Sequence, residues 1–228
     1  MTSPLSTTVL FHIGPAPITT PVVATWAIMA ALALFSIIAT RDLSLAPSPF
    51  QATLEMIVEA IDSQIMDTMR EPPSRYRPLI GTLFIYVLLA NWSSLVPGLE
   101  PPTAHIETDA AMAAIVFCAA IYYGIRAHGA AGYLKTFIQP SILMMPLNIA
   151  EAFTRTFSMT VRLFGNVMSG VFIIGVVLSL AGLFVPIPLM ALDLLTGAIQ
   201  AYIFTVLSMV FIASAVNETP QTDKRSNL

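Results

Sequence analysis

Charge is what this sequence has least of. Asp, Glu, Lys and Arg make up 10% of its 228 residues, against about 25% in a soluble domain. A chain that is 56% hydrophobic, with a mean hydropathy of +0.80, cannot cover itself with a solvated surface. That excludes an ordinary soluble fold and points to a polytopic membrane protein. Cysteine is almost absent. Cys118 stands alone in an apolar run, so an internal disulfide framework is excluded. With no second Cys and no clustered His beside it, no metal site is expected. There is no basic patch, so nucleic acid is not an expected partner. The opening "MTSPLSTTVLFHIGPAPITTP" contains no Lys or Arg, and it does not read as a signal or transit peptide. No fixed-period repeat and no low-complexity tract interrupts the chain.

What is there is a series of long apolar runs. Residues 21–40, "PVVATWAIMAALALFSIIAT", form a first span, since about 20 helical residues cover roughly 30 Å of hydrocarbon. Residues 48–69 carry too much charge to span. Glu55, Glu59 and Asp62 fall at i, i+4 and i+7, while Leu54, Ile57, Val58, Ile61 and Ile65 take the opposite face. This is an amphipathic helix at the interface or against a partner, its acids expected on a solvated face. Further spans are expected at 79–99 and 110–125, separated from their neighbours by "REPPSRYRP", "EPPTAHIETD" and "RAHGAAGYLKTFIQP". Two long helices follow, 146–181 and 187–216, parted by "GLFVPIPL". Both exceed what a helix normal to the bilayer needs, so both are expected to tilt. The tail 217–228 is polar. The whole is expected to be one all-α membrane domain of about five membrane helices plus the amphipathic one, the last two long, tilted and antiparallel.

Orientation follows from the basic residues. Arg41, Arg70, Arg75 and Arg77 lie between the first two spans, Arg126 and Lys135 follow the third, and Lys224 and Arg225 lie in the tail. Segment 1–20, the 100–109 loop and the 182–189 turn have none. The N-terminus is therefore expected outside and the C-terminus inside.

Two arginines do not fit this alternation. Arg155 falls near the inner start of the fourth membrane helix, where it can snorkel. Arg162 lies about two turns deeper, inside "FSMTVRLFGNVMSG". A charge at a helix centre costs about 2.5 to 3.5 kcal/mol on insertion scales, and such residues usually face a bundle interior or a hydrated route. Ser158, Arg162, Asn166 and Ser169 share one helical face, and so do Asp193, Thr196, Gln200 and Phe204 in the last helix. Two polar stripes, one with an arginine and one with a carboxylate, suggest an ion route. A guanidinium stays protonated where an ammonium can lose its proton, so it is suited to favour the ionised form of a mobile carboxylate and repel passing cations. The alternative is an internal ion pair of Arg162 with Asp193 or Glu151.

"TVRLFGNVMSG" (160–170) together with "LLTGAIQAYIFTVLSMVF" (194–211) resembles the a subunit of F-type ATP synthases. "YRPLIGTLFIYVLLANWSSLVPGL" and "PLNIAEAFTRTFSMTVRLFGN" extend the likeness over about residues 76–216. The resemblance implies a stator whose two long helices lie against a ring of c subunits, with b-type stalk subunits and an F1 sector as further partners. It implies that Arg162 faces the ring's ion-binding carboxylate and separates two offset aqueous half-channels. Gln200 matches a glutamine close to that arginine. Asn166 matches a polar residue of the outer half-channel, and Asp193 stands where the family has Glu or His. Ser169 and Thr196 lie on the same stripes. Asp109 is a candidate for the channel mouth, and Glu151 and Arg155 for the inner route or for an i,i+4 pair. Val171 departs from the family's frequent Glu or His. No bound cofactor is implied; the transported ion is H⁺, or alternatively Na⁺. The chain is expected not to be catalytic by itself and to lie in a bacterial plasma membrane.

Two other readings remain at this stage. An autonomous secondary transporter would be expected to carry an inverted repeat, and none is evident. A non-transporting scaffold would place Arg162 in an internal salt bridge.

Overall fold

The computed structural model describes residues 9–13, 16–41, 48–95, 101–138, 145–182 and 184–217. Six helices follow a short hairpin: α1 Thr20–Ala39, α2 Pro49–Met69, α3 Pro73–Trp92, α4 Ile106–Ile138, α5 Met145–Ala181 and α6 Pro186–Asn217. All but α2 are long and apolar enough to cross a membrane. The hairpin pairs β1 Val9–Ile13 with β2 Ala16–Thr19, antiparallel, with Val9 opposite Thr19 and Ile13 opposite Ala16. The tail from 218 lies outside the described residues.

Proline marks several starts. Pro21, Pro49 and Pro73 each stand at the beginning of a helix, where the missing N–H is no loss and φ is already set. Ser48 also caps α2, its hydroxyl accepting from Gln51 N–H at 3.3 Å. The proline-rich segment expected to separate α2 from the next span is therefore largely the first turns of α3, which starts at Pro73 and not at 79. Likewise α4 starts at Ile106, ahead of the expected 110, and does not stop at 125. It bends at Gly129, whose φ of 74° and ψ of 163° are open only to glycine, and then resumes.

α6 is the hub. Its face Gln200, Ala201, Phe204, Thr205, Ser208, Met209 and Ile212 is buried, at the 3–4 spacing of one helical side. Phe204 and Ala201 meet Leu83 and Val87 of α3, Val116 of α4, and Met159 and Leu163 of α5. Met209 and Ile212 meet Ile65 and Met69 of α2 with Tyr76 and Ile80 of α3. In lipid such contacts stabilise through close packing, because leaving lipid tails for another helix gains no hydrophobic transfer energy.

α2 is clamped to the bundle. Arg77 Nε donates to Asp62 Oδ1 at 2.6 Å, and its Nη2 bonds Oδ2 as well. Asp62 is thus not one more solvated acid, as the helical pattern alone suggests, but the anchor of α2 on α3. Glu55 and Glu59 stay exposed. α1 is the opposite case. Only Pro21 and Ala24 are buried, and Trp26, Met29, Leu34, Phe35, Ile37 and Ile38 face outward, as suits a helix bathed in lipid.

Candidate functional site: an arginine on an open membrane face

α5 and α6 run antiparallel across the site. Toward the ends joined by the 182–185 connection, Asp193 of α6 sits against Gly170 of α5; toward their other ends, Arg155 Nη1 of α5 donates to Ser214 Oγ of α6 at 3.3 Å. The two polar stripes of these helices do not meet along one channel wall. The α6 stripe points inward: Gln200 and Phe204 are buried, Asp193 and Thr196 half-buried. The α5 stripe points out: Ser158, Arg162 and Ser169 are exposed, Asn166 half-buried. Helical spacing puts residues on a common face, but only packing decides which way that face looks.

Arg162 lines an open cavity of about 680 Å³ with Glu151, Arg155 and Ser158 of α5 and Leu207, Val210 and Phe211 of α6. Among the described residues it makes no ion pair and no side-chain hydrogen bond. The internal partners considered from the sequence are engaged elsewhere. Glu151 Oε1 accepts from Arg155 Nη2 at 2.5 Å, the i,i+4 pair. Asp193 Oδ2 accepts from Ser94 Oγ at 3.3 Å. A membrane helix thus presents a guanidinium outward without a counter-charge of its own.

Asp193 lies beside a second cavity of about 160 Å³, lined also by Ser94, Pro101, Val171, Gly175 and Met190. The carboxylate fits because residue 170 is glycine: a Cβ there would lie 2.1 Å from Asp193 Oδ1. Ser94 and Gly170 are therefore site residues that motif reasoning missed. Neither is chemically distinctive, and both matter through position. The end of α3 holds the start of α6 in register. Asn91 Nδ2 donates to Gly197 O at 2.9 Å, Trp92 Nε1 to Leu194 O at 3.1 Å, and Thr103 Oγ1 to Asn91 Oδ1 at 2.8 Å. The signal for Asn91 was in the sequence, as a lone amide closing an apolar run. Thr196 and Ser169 spend their hydroxyls locally, on the carbonyls of Asp193 and Asn166.

Asp109 does not open onto a surface. It is 0% exposed, and among the described residues neither carboxyl oxygen has a hydrogen-bond partner. Gln200 Nε2 is likewise buried and unbonded, and Gln200 does not line the Arg162 cavity. Buried polar atoms are nearly always satisfied, so such exceptions call for water, a proton or an ion. No group of three or more potential metal ligands occurs among the described residues.

Residues 22–213 match the family described as ATP synthase A chain. The chain belongs to that family. Among similar members, "ATP synthase subunit a 2" of Bradyrhizobium sp. (strain BTAi1 / ATCC BAA-1182) is 57% identical over 214 residues, covering 94% of this chain and 96% of its own. "ATP synthase subunit a 2" of Acaryochloris marina is 44% identical, covering 91% and 90%. "ATP synthase subunit a" of Albidiferax ferrireducens is 44% identical, covering 85% of each chain. The resemblance read from the arginine segment therefore extends over nearly the whole chain, and α1 is included in the match to the ATP synthase A chain family.

Proposed function

We propose that this chain is the ion-translocating stator of a rotary ATP synthase, a membrane subunit that is not catalytic by itself. Membership of the ATP synthase A chain family supports the membrane role. The finer reading is carried by one observation: Arg162 stands exposed on a membrane-spanning helix and makes no ion pair among the described residues. An uncompensated charge facing lipid is expensive. A carboxylate presented by a neighbouring subunit removes the penalty, and a ring of c subunits presents one after another.

In this reading each ring carboxylate reaches Arg162 and is held in its ionised form by the guanidinium. Having shed its ion on one side, it takes up another on the other side. The fixed charge keeps the two aqueous routes from joining, since a cation crossing past Arg162 meets repulsion. Asp193, with Ser94, Asn166 and the amide of Gln200, serves the outer route, and buried Asp109 adds a carboxyl on the outer side of α4. Val171 shares the Asp193 cavity but cannot exchange a proton, so Asp193 takes that work. The ion is H⁺, with Na⁺ as the alternative. The c ring, the b-type stalk and the F1 sector are the partners. The N-terminus is outside and the C-terminus inside a bacterial plasma membrane. The scaffold reading loses ground because the arginine makes no internal salt bridge among the described residues.

The test is ATP-driven ion pumping and passive leak in vesicles holding the whole complex, native against Arg162→Ala. Loss of pumping with leak kept or raised is the expected result. Pumping that survives the substitution sinks the reading and brings the scaffold forward.

A further inference from the structure

Arg155, a candidate for the inner route, is a second guanidinium beside the Arg162 cavity. Glu151, Arg155, Ser158 and Arg162 follow one another at i, i+4, i+7 and i+11, along one stripe of α5. Arg155 also reaches across to α6. Its Nη1 donates to Ser214 Oγ at 3.3 Å, and its guanidinium carbon lies 5.9 Å from the centre of the Phe211 ring. Arg155 is therefore a brace between the two long helices.

The brace stands in an exposed position. Glu151, Arg155 and Phe211 line both the Arg162 cavity and a neighbouring one of about 240 Å³. Glu151, Arg155 and Arg162 are the charged residues of the larger cavity, and Glu151 and Arg155 those of the smaller. A bare Arg155 would put a second fixed positive charge in the wall of this passage. The Glu151 carboxylate lies 2.5 Å from it and cancels that charge locally.

We propose that Glu151 is an electrostatic shield for Arg155: it lets the arginine brace α5 to α6 while leaving Arg162 as the single uncompensated charge that an ion on the inner side meets. This rests on the stator reading, because it assumes that ions use the Arg162 cavity. The pair is a positioning device, and it takes up no ion itself. Its net charge is zero, so the cavity carries one net positive charge; without Glu151 it carries two.

The test is passive proton conduction through the membrane sector of assembled complexes in vesicles, after removal of F1, at low and at high salt. Glu151→Gln is expected to lower conduction by roughly tenfold at low salt. High salt should restore much of it, because the repulsion acts across water. Adding Arg155→Gln to Glu151→Gln should bring conduction back near native, since the net charge is again that of Arg162 alone. The swapped pair Glu151→Arg with Arg155→Glu should also conduct, and it guards against a defect that comes only from misassembly. Native-like conduction by Glu151→Gln at low salt overturns the proposal. So does a defect that neither salt nor the second substitution relieves, which would mark the pair as a structural tie alone. Arg162→Ala, assayed for ATP-driven pumping in vesicles that keep F1, separates the two claims. If it still pumps, the stator reading has failed; if it does not pump while the Glu151 series misbehaves, only the shield has failed.

Discussion

Gly170 of α5 and Asp193 of α6 occupy each other's space: the carboxylate lies where a side chain at 170 would begin, with Oδ1 2.1 Å from the position of a Cβ. Gly170→Ala must therefore push Asp193 away from Ser94 or force α5 and α6 apart. Overpacking of this kind costs about 1–3 kcal/mol. The variant complex is expected to melt at lower temperature and to pump several-fold more slowly. Combining it with Asp193→Ser relieves the crowding, so stability should return while pumping does not. Thermal melting and ATP-driven pumping, measured on the same preparations, separate the two effects.

The opposite orientations of the two polar stripes give a mapping experiment. With Cys118 replaced by alanine, single cysteines at Ser158, Asn166 and Ser169 should form disulfides with cysteines placed beside the ring carboxylate. Cysteines at Gln200, Thr205 and Ser208 should not, because these positions are turned into the bundle. Cross-linking that favours the α6 positions would mean that the outward face of α5 meets something other than the ring.

Asp109 is fully buried and unpartnered among the described residues. Asp109→Asn keeps its shape and removes the capacity to ionise. It is expected to leave assembly and melting temperature unchanged or slightly improved, since a buried charge without a partner does not stabilise. Pumping should fall several-fold if the carboxyl serves the outer route. Unchanged pumping by a fully assembled variant would remove Asp109 from that route.

Gly129 holds the bend of α4 at φ 74° and ψ 163°. Gly129→Ala places a side chain in a backbone region that is essentially glycine's alone, at a cost of about 1–3 kcal/mol. Nothing lies within 4 Å of the added Cβ, so any loss of thermal stability reports backbone strain and not a clash.

The chain's class, its membrane helices and the odd placement of Arg162 were legible from composition and periodicity, because a lone charge in an apolar run stands out. What was not legible depends on partners distant in sequence. Asp62 and Arg77 lie 15 residues apart on different helices, and the helical pattern of α2 alone leaves Asp62 among solvated acids. The stripes of α5 and α6 could be read, but not that they diverge, because period fixes a common face and not its direction. Gly129 was visible inside a polar stretch that reads as a break, yet the helix resumes beyond it. The hairpin Val9–Thr19 went unread although a Gly-Pro pair between two β-rich runs is a turn signal.

Beside its outward polar stripe, α5 also exposes large apolar side chains. Phe153, Phe157, Val161, Phe172 and Ile173 are exposed along the helix that carries Arg162. For a fixed partner this would be a poor adhesive, since it offers few directional contacts. For a moving one it is a bearing. Non-directional contacts can be broken and remade at similar energy in successive positions, so under the stator proposal the surface would give little preference for where the ring halts. In the proposed stator, Arg162, an exposed guanidinium with no ion pair among the described residues, would supply that preference, a detent that each passing carboxylate finds in turn.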